Sequence, residues 1–400
     1  MGELFDTTTA LDARVHMPTY ARKPVMFVRG EGMRLYDDAG REYLDFIAGI
    51  GVVNLGHAHP AVTDAVCEQM SKLVHVSNLF YVEHRDELAE RLIGLFGGGA
   101  KVFFANSGAE ANEGAIKLAR RYGKANGGES CTRIISAERS FHGRTLATLA
   151  ATGQPSKQEA FEPLPSGFTH IPLNDIDALF AEMDQTVCAV LLEPIQGEGG
   201  VFECDPAYLS AVRTLCDERG VLLIFDEVQT GFFRTGTPFA WQGYGVKPDI
   251  MTLAKGMANG LPIGAVVAID PVADAFRPGD HGSTFGGGPV VCAAALATID
   301  ALEAEHLGAN AIAVGTYMRE GLSALGVKTG AIIDVRGRGL MVGITLAEPI
   351  AARVASEALE HGIVALNVGD SVLRFLPPLV CNKAEVDTLL QTLSAALGSS

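Results

Sequence analysis

Short runs of apolar residues alternate with amphipathic stretches from about residue 60 to about residue 300. The clearest strand-like runs are Val102 to Ala105, Arg133 to Ala137, Ala189 to Glu193, Val221 to Phe225, Ile250 to Ala254 and Ala265 to Ile269. Strands that are apolar on both sides are typical of parallel sheets, because helices cover both faces of such sheets. The pattern therefore predicts an α/β fold with a largely parallel central sheet and helices on both faces.

A predicted helix follows the first of these runs. Apolar residues recur at positions 111, 115, 118, 119 and 122, which is helical spacing. The helix should begin just after Ser107 and Gly108, in a small-residue turn that frees backbone N–H groups at the helix N-terminus. Such a turn is suited to binding an anion. The alternative is an ordinary strand-to-helix turn in which Ser107 caps the helix.

The two ends of the chain have a different pattern, with shorter strand-like pieces. Residues 37–40, Asp-Asp-Ala-Gly, form a turn signal between two such pieces and predict a hairpin. After about residue 301, helical stretches alternate with the runs AIIDVRGRGLMVGITL and SVLRFLPPLV. We therefore expect residues 61–300 to form a large domain, and residues 1–60 and 301–400 to build a smaller α+β domain together.

The composition favours a globular protein that acts on small molecules. The 400 residues are 48% hydrophobic and 20% charged, which allows a large core. A formal net charge of −16 argues against nucleic-acid or acidic-membrane partners, because those polyanions attract basic surfaces. No apolar run approaches the roughly 20 residues of a membrane span, and the first residues lack a signal-peptide pattern. We expect a cytoplasmic protein.

No metal or dinucleotide site is predicted. The seven cysteines are scattered without a Cys-x-x-Cys pair, which favours reduced, buried thiols. His57 and His59 have no third ligand cluster beside them, so a turn ahead of a helix is the better interpretation. The segment GRGLMVG resembles a dinucleotide-binding fingerprint, but its last glycine comes one position late and a strand follows it instead of a helix.

Two polar side chains lie where predicted strands end. Asp226 closes the run from Val221, and Lys255 occupies the equivalent position on the next run. Open α/β sheets bind ligands at this edge, although a capping aspartate and a solvated lysine are the ordinary alternatives. A phosphate-binding turn, an aspartate and a lysine are what pyridoxal 5'-phosphate requires: an anchor for its phosphate, a partner for its ring nitrogen and an amine for its aldehyde.

The segments around Asp226 and Lys255 also resemble a known family. LLIFDEVQTGFFRTGTPFA and KPDIMTLAKGMANGLPIGAV are similar to the signature of the class III, ornithine-type pyridoxal-phosphate aminotransferases. FFANSGAEANEGAIKLAR, SFHGRTLATL, LLEPIQGEGGV and HGSTFGGGP extend this resemblance over nearly the whole chain. It implies a fold type I transferase with bound pyridoxal 5'-phosphate. It also implies a homodimer with active sites at the subunit interface.

The resemblance assigns cofactor contacts position by position. Lys255 matches the Schiff-base lysine and proton shuttle, Asp226 the partner of the pyridinium nitrogen, and Gln229 a hydrogen-bond donor to the ring hydroxyl. Phe141 matches an aromatic residue that stacks on the cofactor ring, where a core phenylalanine would be the default without this resemblance.

The phosphate contacts follow from the same resemblance. Ser107, Gly108 and Ala109 match the phosphate cradle. Thr284 matches a residue that reaches the phosphate site of the neighbouring subunit, with Ser283 beside the substrate. Gly288 stands where relatives commonly carry asparagine, so this loop lacks that side-chain amide.

The remaining assignments concern substrate carboxylates, which guanidinium groups bind bidentately. Arg144 matches the contact with the α-carboxylate of an acetylated diamino acid, and Arg374 the contact with the α-carboxylate of glutamate. Glu198 matches a switch residue that pairs with Arg374 when the first substrate binds. Tyr20 and Tyr81 are candidates for the substrate channel. Either arginine has a surface ion pair as its ordinary alternative.

The activity implied by the resemblance is a ping-pong transfer of the distal amino group of N-acetylornithine to 2-oxoglutarate. The products would be N-acetylglutamate semialdehyde and glutamate, a step of arginine biosynthesis. N-succinylornithine, ornithine, 4-aminobutyrate and lysine remain alternative donors, and amino-acid racemisation remains an alternative reaction. The pairing of Glu198 with Arg374 favours transamination, because racemisation needs no second substrate.

Overall fold

The computed structural model describes residues 3–398. The outermost residues of the predicted ranges 1–60 and 301–400, which are residues 1, 2, 399 and 400, lie outside the described residues. The helices are, in chain order, α1 (Glu3–Val15), α2 (Ala48–Gly51), α3 (Pro60–Lys72), α4 (Arg85–Phe96), α5 (Gly108–Gly127), α6 (Leu146–Ala151), α7 (Pro155–Gln158), α8 (Ile176–Glu182), α9 (Pro206–Arg219), α10 (Ala240–Tyr244), α11 (Asp270–Ala273), α12 (Pro289–Ala304), α13 (Leu307–Thr329), α14 (Ala351–Glu360) and α15 (Lys383–Gly398).

The strands alternate with these helices through the middle of the chain. They are β1 (Phe27–Glu31), β2 (Arg34–Asp37), β3 (Glu42–Asp45), β4 (Ala100–Ala105), β5 (Arg133–Ala137), β6 (Phe168–Ile171), β7 (Val187–Leu192), β8 (Ile195–Gln196), β9 (Phe202–Glu203), β10 (Leu222–Asp226), β11 (Ile250–Leu253), β12 (Gly264–Ile269), β13 (Ile332–Arg338), β14 (Met341–Leu346), β15 (Ile363–Val364), β16 (Leu366–Val368) and β17 (Val372–Phe375). Each strand predicted from an apolar run is present, with ends that differ by no more than two residues.

Within the described part of the chain, the central sheet has seven strands in the order β4-β12-β11-β10-β7-β5-β6. The pairs from β11 to β6 are parallel, whereas β12 runs antiparallel to both of its neighbours. Because β12 reverses direction, β4 on its far side runs parallel to β10 again. The carboxyl ends of β4, β7, β10 and β11 therefore meet at one edge of the sheet. This confirms the predicted α/β class with a mostly parallel sheet.

Strand β10 shows why its sequence is apolar throughout. Leu222 and Ile224 pack with α5 on one face of the sheet, and Leu223 and Phe225 pack with α9 on the other. Successive side chains of a strand point to opposite faces, so both sets must be apolar when both faces are covered. Each such side chain contributes about 1.5–3 kcal/mol when it is fully buried.

The two ends of the chain meet in a second sheet. Strand β15, from the C-terminal part, pairs in parallel with β3, where Ile363 is opposite Leu44. The predicted turn at residues 37–40 joins β2 to β3, and Asp37 accepts hydrogen bonds from the N–H groups of Ala39 and Arg41 at 3.0 and 2.8 Å. A further sheet, β13-β14-β17-β16, comes from the C-terminal part alone. The smaller α+β part is thus built from both chain ends.

The boundaries predicted at residues 60 and 300 stay a prediction. Helix α3 begins at Pro60, whereas α12 continues past residue 300 to Ala304. In residues 3–398, no helix is long and apolar enough to cross a membrane. The cysteines are unpaired thiols, but the expectation that they are buried is wrong for Cys67, which is exposed on α3.

Candidate active site

A cavity of about 390 Å³ lies at the edge where the strands of the central sheet end. It brings together most of the predicted site residues, namely Ser107, Gly108, Ala109, Phe141, Arg144, Glu198, Asp226, Gln229 and Lys255. They come from loops that follow different strands, so their proximity is a product of the parallel sheet. Arg374 joins this group from β17 through an ion pair with Glu198.

The N-terminus of α5 forms one side of the cavity. Ser107 caps this helix, since its hydroxyl accepts a hydrogen bond from the N–H of Glu110 at 3.1 Å. Gly108 lies against Val228, and a Cβ at Gly108 would come within 2.7 Å of a Val228 methyl group. The helix end therefore approaches the floor of the cavity because residue 108 has no side chain. The positive end of a helix dipole suits a phosphate, so the capping function of Ser107 is compatible with an anion site, which stays a prediction.

Asp226 forms the floor and is only 4% exposed. One of its oxygens accepts hydrogen bonds from Asn112 Nδ2 at 2.7 Å and His142 Nδ1 at 2.9 Å, and the other accepts from Val228 N at 3.1 Å. Three donors from different parts of the chain fix the position of this carboxylate. Asn112 is itself fixed, because its Oδ1 accepts a hydrogen bond from Thr252 at 2.7 Å.

Asn112 and His142 extend the site beyond the residues predicted to bind the cofactor. Sequence analysis missed Asn112, although it is a polar residue beside the apolar stripe of α5 and is 1% exposed. His142 must carry its ring proton on Nδ1 in order to donate to Asp226. Its Nε2 is buried without a partner in the described residues.

The acidic pair at the end of β10 divides between two environments. Asp226 faces the cavity, whereas Glu227 is fully buried and accepts hydrogen bonds from Ala240 N at 2.9 Å and Trp241 N at 2.8 Å. Burial raises the pKa of Glu227 to about 7. The two neighbouring carboxylates thus have separate tasks, one at the site and one in holding the loop that follows it.

Lys255 enters the cavity from the end of β11. It begins a 3-10 turn with φ of 37°, a backbone conformation that is uncommon for a residue with a side chain and that often occurs at functional sites. Burial lowers the pKa of its amine, and the nearby Arg374 adds to this effect, whereas Glu198 and Asp226 oppose it. The lysine is therefore neutral at a lower pH than a surface lysine, which suits a nucleophile.

Gln229 lies beside the loop of Glu198, in space that is open only because residue 197 is a glycine. A Cβ at Gly197 would come within 2.0 Å of Gln229 Oε1. Gln229 is 6% exposed, and among residues 3–398 that amide oxygen has no hydrogen-bond partner. A buried amide oxygen without a protein partner is open to a contact with a bound molecule.

The donor set fits pyridoxal 5'-phosphate. The α5 N-terminus matches a phosphate, Asp226 a protonated ring nitrogen, and Lys255 an aldehyde carbon. Gln229 supplies an amide oxygen that lacks a protein partner, and Phe141 lines the same cavity with an aromatic ring. The residues that make these contacts would do so from fixed elements of the fold.

Glu198 and Arg374 form the pair that the resemblance implied. Arg374 is 3% exposed, and its Nη1 donates to Glu198 Oε1 at 2.7 Å. Burial would raise the pKa of Glu198, but Arg374 and Lys255 outweigh this effect and the net shift is downward. The Nε of Arg374 is buried without a partner in the part of the chain described. Arg374 thus has a further N–H group that a substrate carboxylate would satisfy.

Two cations lie at the mouth of the cavity. The guanidinium of Arg144 is 5.5 Å from the centre of the Phe141 ring, and the ammonium of Lys157 is 5.9 Å from it. Burial lowers the pKa of Lys157, and the positive charge of Arg144 lowers it further. Sequence analysis missed Lys157, which lies in a loop-like stretch of polar residues that carries no motif.

Glu193 connects the loops that carry the cavity residues. It accepts hydrogen bonds from Phe141 N at 2.9 Å and Gly197 N at 3.2 Å. Burial raises the pKa of this carboxyl group to about 7. Glu193 therefore holds the Phe141 loop next to the loop of Glu198.

The remaining predicted residues lie outside the cavity of this single chain. Ser283 accepts a hydrogen bond from Asn106 at 3.1 Å, and Thr284 lines a separate surface recess. Tyr20 and Tyr81 are 78% and 96% exposed. Their site roles stay predictions that require a second subunit to bring them to a cavity.

The loop around Thr284 ends in helix α12. Gly288 is the N-cap of this helix, and a Cβ there would meet only Phe285 O, at 3.5 Å. A Cβ at position 288 would therefore be in ordinary van der Waals contact only.

Comparison with known proteins identifies the family of this chain. The family model described as "Aminotransferase class-III" matches residues 17–397. The chain belongs to this family and is a pyridoxal-phosphate-dependent aminotransferase of fold type I. It is 50% identical over 381 residues to the acetylornithine aminotransferase of Caldanaerobacter subterraneus subsp. tengcongensis, covering 95% of this chain and 96% of that protein. It is 48% identical over 383 residues to the acetylornithine aminotransferase of Methanocaldococcus jannaschii, covering 96% of each.

Solved structures of aminotransferases match this chain over nearly its whole length. The ornithine aminotransferase of Toxoplasma gondii ME49 matches with a TM-score of 0.94 and 33% identity, covering 99% of this chain and 95% of the other. The acetylornithine aminotransferase of Elizabethkingia anophelis matches with a TM-score of 0.89 and 33% identity, covering 99% of each chain. The similarity therefore extends over the whole fold.

Proposed function

We propose that this enzyme transfers the distal amino group of N-acetylornithine to 2-oxoglutarate, giving N-acetylglutamate semialdehyde and glutamate in arginine biosynthesis. The observation that carries the proposal is the Glu198–Arg374 ion pair, whose Glu198 lines the same cavity as Arg144. The names of the two relatives at about 50% identity support the same substrate.

Lys255 is the residue that moves the proton. When bound, pyridoxal 5'-phosphate supplies an electron sink next to the substrate carbon. Because the pKa of Lys255 is lowered, its Nζ is neutral at a lower pH than that of a surface lysine. The neutral Nζ would act as the base that takes the proton from the substrate carbon and then passes it to another atom in the cavity. Asp226 would partner the protonated ring nitrogen of the bound cofactor, because hydrogen bonds from Asn112, His142 and Val228 fix its carboxylate on the cavity floor.

Glu198 allows one cavity to accept two kinds of substrate. N-acetylornithine presents a distal amine to Lys255 and has no carboxylate near the reacting carbon, so Arg374 stays paired with Glu198. 2-oxoglutarate has a carboxylate next to its reacting carbon. This carboxylate would replace Glu198 on Arg374, whose unpartnered Nε offers the second N–H of a bidentate contact. The two half-reactions then follow in a ping-pong order.

A cytoplasmic location and a homodimer are part of the proposal. The dimer is supported by large apolar side chains near Thr284 that are exposed in the single chain. Leu79, Phe80 and Phe285 are 86%, 63% and 67% exposed, and a second subunit would cover them. In such a dimer Thr284 would contribute to the phosphate site of the neighbouring subunit and Tyr20 to a substrate channel.

The test follows the absorbance of the bound cofactor. The purified, cofactor-loaded protein is mixed separately with N-acetylornithine, N-succinylornithine, ornithine, 4-aminobutyrate and lysine, without a keto acid. We expect N-acetylornithine to convert the cofactor to its amine form most efficiently, and 2-oxoglutarate to restore the starting spectrum. A more efficient donor in this series would overturn the substrate assignment. Racemisation of an amino acid without 2-oxoglutarate would overturn the reaction.

A further inference from the structure

The loop that carries Glu198 lies on the C-terminal sheet. Strands β8 and β9 form a short hairpin, and residues 197–201 connect them. Three residues form a row across the sheet below this loop, since Arg336 of β13 is opposite Gly343 of β14, and Gly343 is opposite Arg374 of β17. Residues directly opposite each other in antiparallel strands project from the same face. The loop thus contacts a row that includes the arginine that binds Glu198.

Arg336 holds the loop by its backbone. Its Nε donates to Gly200 O at 2.8 Å, and its Nη2 donates to the same oxygen. Its guanidinium lies 4.1 Å from the centre of the Phe202 ring. The side chain is only 12% exposed, and its Nη1 is fixed by Thr345 Oγ1 at 2.7 Å. A guanidinium held from several sides keeps a fixed position and fixes what it binds.

Gly343 makes the contact possible. A Cβ at this position would come within 2.9 Å of Val201 Cβ and 3.0 Å of Gly200 O. The absence of a side chain in the middle of the row lets the loop backbone lie between the two arginines. The segment GRGLMVG, which resembled a dinucleotide site, therefore forms the hairpin from Gly337 to Gly343 that supports this loop.

We propose that Arg336 is a positioning residue, which holds residues 197–201 so that the Glu198 carboxylate pairs with Arg374 while the amine donor is bound. Only the Glu198 side chain then moves when a substrate carboxylate takes its place. The inference rests on the proposed function. Without Arg336, the paired state loses its support, and the balance shifts towards the state in which Arg374 is free. Substrates that need free Arg374 should bind better, and those that need the pair should bind less well.

The test compares Arg336→Met with Arg338→Met. Arg338 is a matched control, because it lies two residues along the same face of β13 and contacts the same hairpin at its base, 3.5 Å from Glu203. Apparent dissociation constants for glutamate and for N-acetylornithine are measured in separate half-reactions from the cofactor absorbance. We expect the ratio of these constants to shift about tenfold in favour of glutamate in Arg336→Met. Arg338→Met should leave the ratio within about twofold of the original.

A second readout does not depend on the substrate. Amide hydrogen exchange of residues 197–201 should be faster in Arg336→Met and unchanged in Arg338→Met. If the unaltered enzyme prefers another amine, the proposed substrate is wrong, and that amine takes the place of N-acetylornithine in the ratio. If it uses no amine, the exchange rates alone decide whether Arg336 holds the loop.

Several outcomes would overturn the inference. An unchanged ratio together with unchanged exchange in Arg336→Met would do so, as would equal changes in the two variants. If Arg336→Met does not fold, Arg336→Lys takes its place, because a lysine keeps the charge but not the two-pronged contact with Gly200 O. Its ratio should then shift in the same direction by a smaller factor, and a ratio equal to that of the unaltered enzyme would contradict the proposal.

Discussion

The floor and the rim of the cavity each carry a carboxylate, but the two are held in opposite ways. Asp226 on the floor is 4% exposed and accepts three hydrogen bonds from Asn112, His142 and Val228. The Glu198 side chain on the rim is 29% exposed and rests on Arg374. The floor therefore holds a carboxylate that is fixed from three sides, and in the proposed mechanism the rim provides one that a substrate carboxylate would displace.

The energetics of burial account for this difference. A buried carboxylate is costly unless donors surround it, and breaking such an arrangement leaves uncompensated charge. A partly exposed ion pair has a smaller net free energy, so a competing carboxylate of the substrate is able to replace one partner. Substitutions on the floor should thus abolish both half-reactions. Substitutions on the rim should impair one half-reaction more than the other.

The largest effect is expected for Lys255→Ala. Turnover should fall by about 10⁴-fold or more, because the amine that attacks the cofactor and moves the proton is lost. Binding of the cofactor should persist without a covalent bond, since the α5 N-terminus and Asp226 remain in place. Steady-state rates and borohydride trapping of the cofactor measure the two effects. Near-normal turnover would show that Lys255 is not the catalytic amine.

Asp226→Asn tests the fixed charge of the floor. We expect kcat in both half-reactions to fall by about 10²- to 10⁴-fold, because an amide does not hold a proton at the ring nitrogen. Glu227→Gln is the matched control one residue along the chain. It should reduce the free energy of unfolding by about 1–3 kcal/mol through its buried hydrogen bonds, with a much smaller effect on kcat. Equal losses of kcat in the two variants would contradict the separate tasks of the acidic pair.

Sequence patterns predicted the floor well, for a physical reason. Asp226 and Lys255 are polar residues at the ends of apolar runs, and parallel strands bring such ends together. The start of α5 at Gly108 followed from helix spacing and a small-residue turn, and an anion site there stays a prediction. Asn112 was missed, because only the packed structure shows that this helical position contacts the carboxylate 114 residues further along the chain.

The rim was less accessible to such arguments. Glu198 and Arg374 are 176 residues apart, and their pairing came from family resemblance, not from spacing. Lys157 and Arg336 carry no motif, because their positions depend on how a loop and a separate sheet pack against the cavity. Tyr20 and Thr284 lie outside the cavity of one chain, so their roles depend on an assembly that one sequence does not describe.

Arg374→Ala tests the movable charge of the rim. The KM for 2-oxoglutarate should rise by about 10²-fold, since its carboxylate loses a buried partner. The half-reaction with N-acetylornithine should change much less, because that substrate does not use Arg374. Rates of each half-reaction, followed by cofactor absorbance, make the comparison.

Arg144→Ala is the control for this prediction. Arg144 lies at the cavity mouth, and we propose that both substrates bind there through the carboxylate distant from the reacting carbon, so this variant should weaken both of them. If Arg374→Ala weakened both substrates equally, the rim would not act as a switch. If Arg144→Ala affected one substrate only, the proposed common orientation of the two would be wrong.

The smallest effect is expected for Lys157→Gln, which removes the second cation at the mouth. The KM for N-acetylornithine should rise by about two- to fivefold near neutral pH, because a partly exposed charge contributes little binding free energy. Burial and Arg144 lower the pKa of Lys157, so its charge is lost at a lower pH than that of a surface lysine. The difference in KM between the variant and the unaltered enzyme should therefore shrink as pH rises through that lowered pKa. Lys157→Arg, which stays charged, should keep the low KM over the whole pH range. Identical KM profiles for all three proteins would show that the charge of residue 157 does not affect substrate binding.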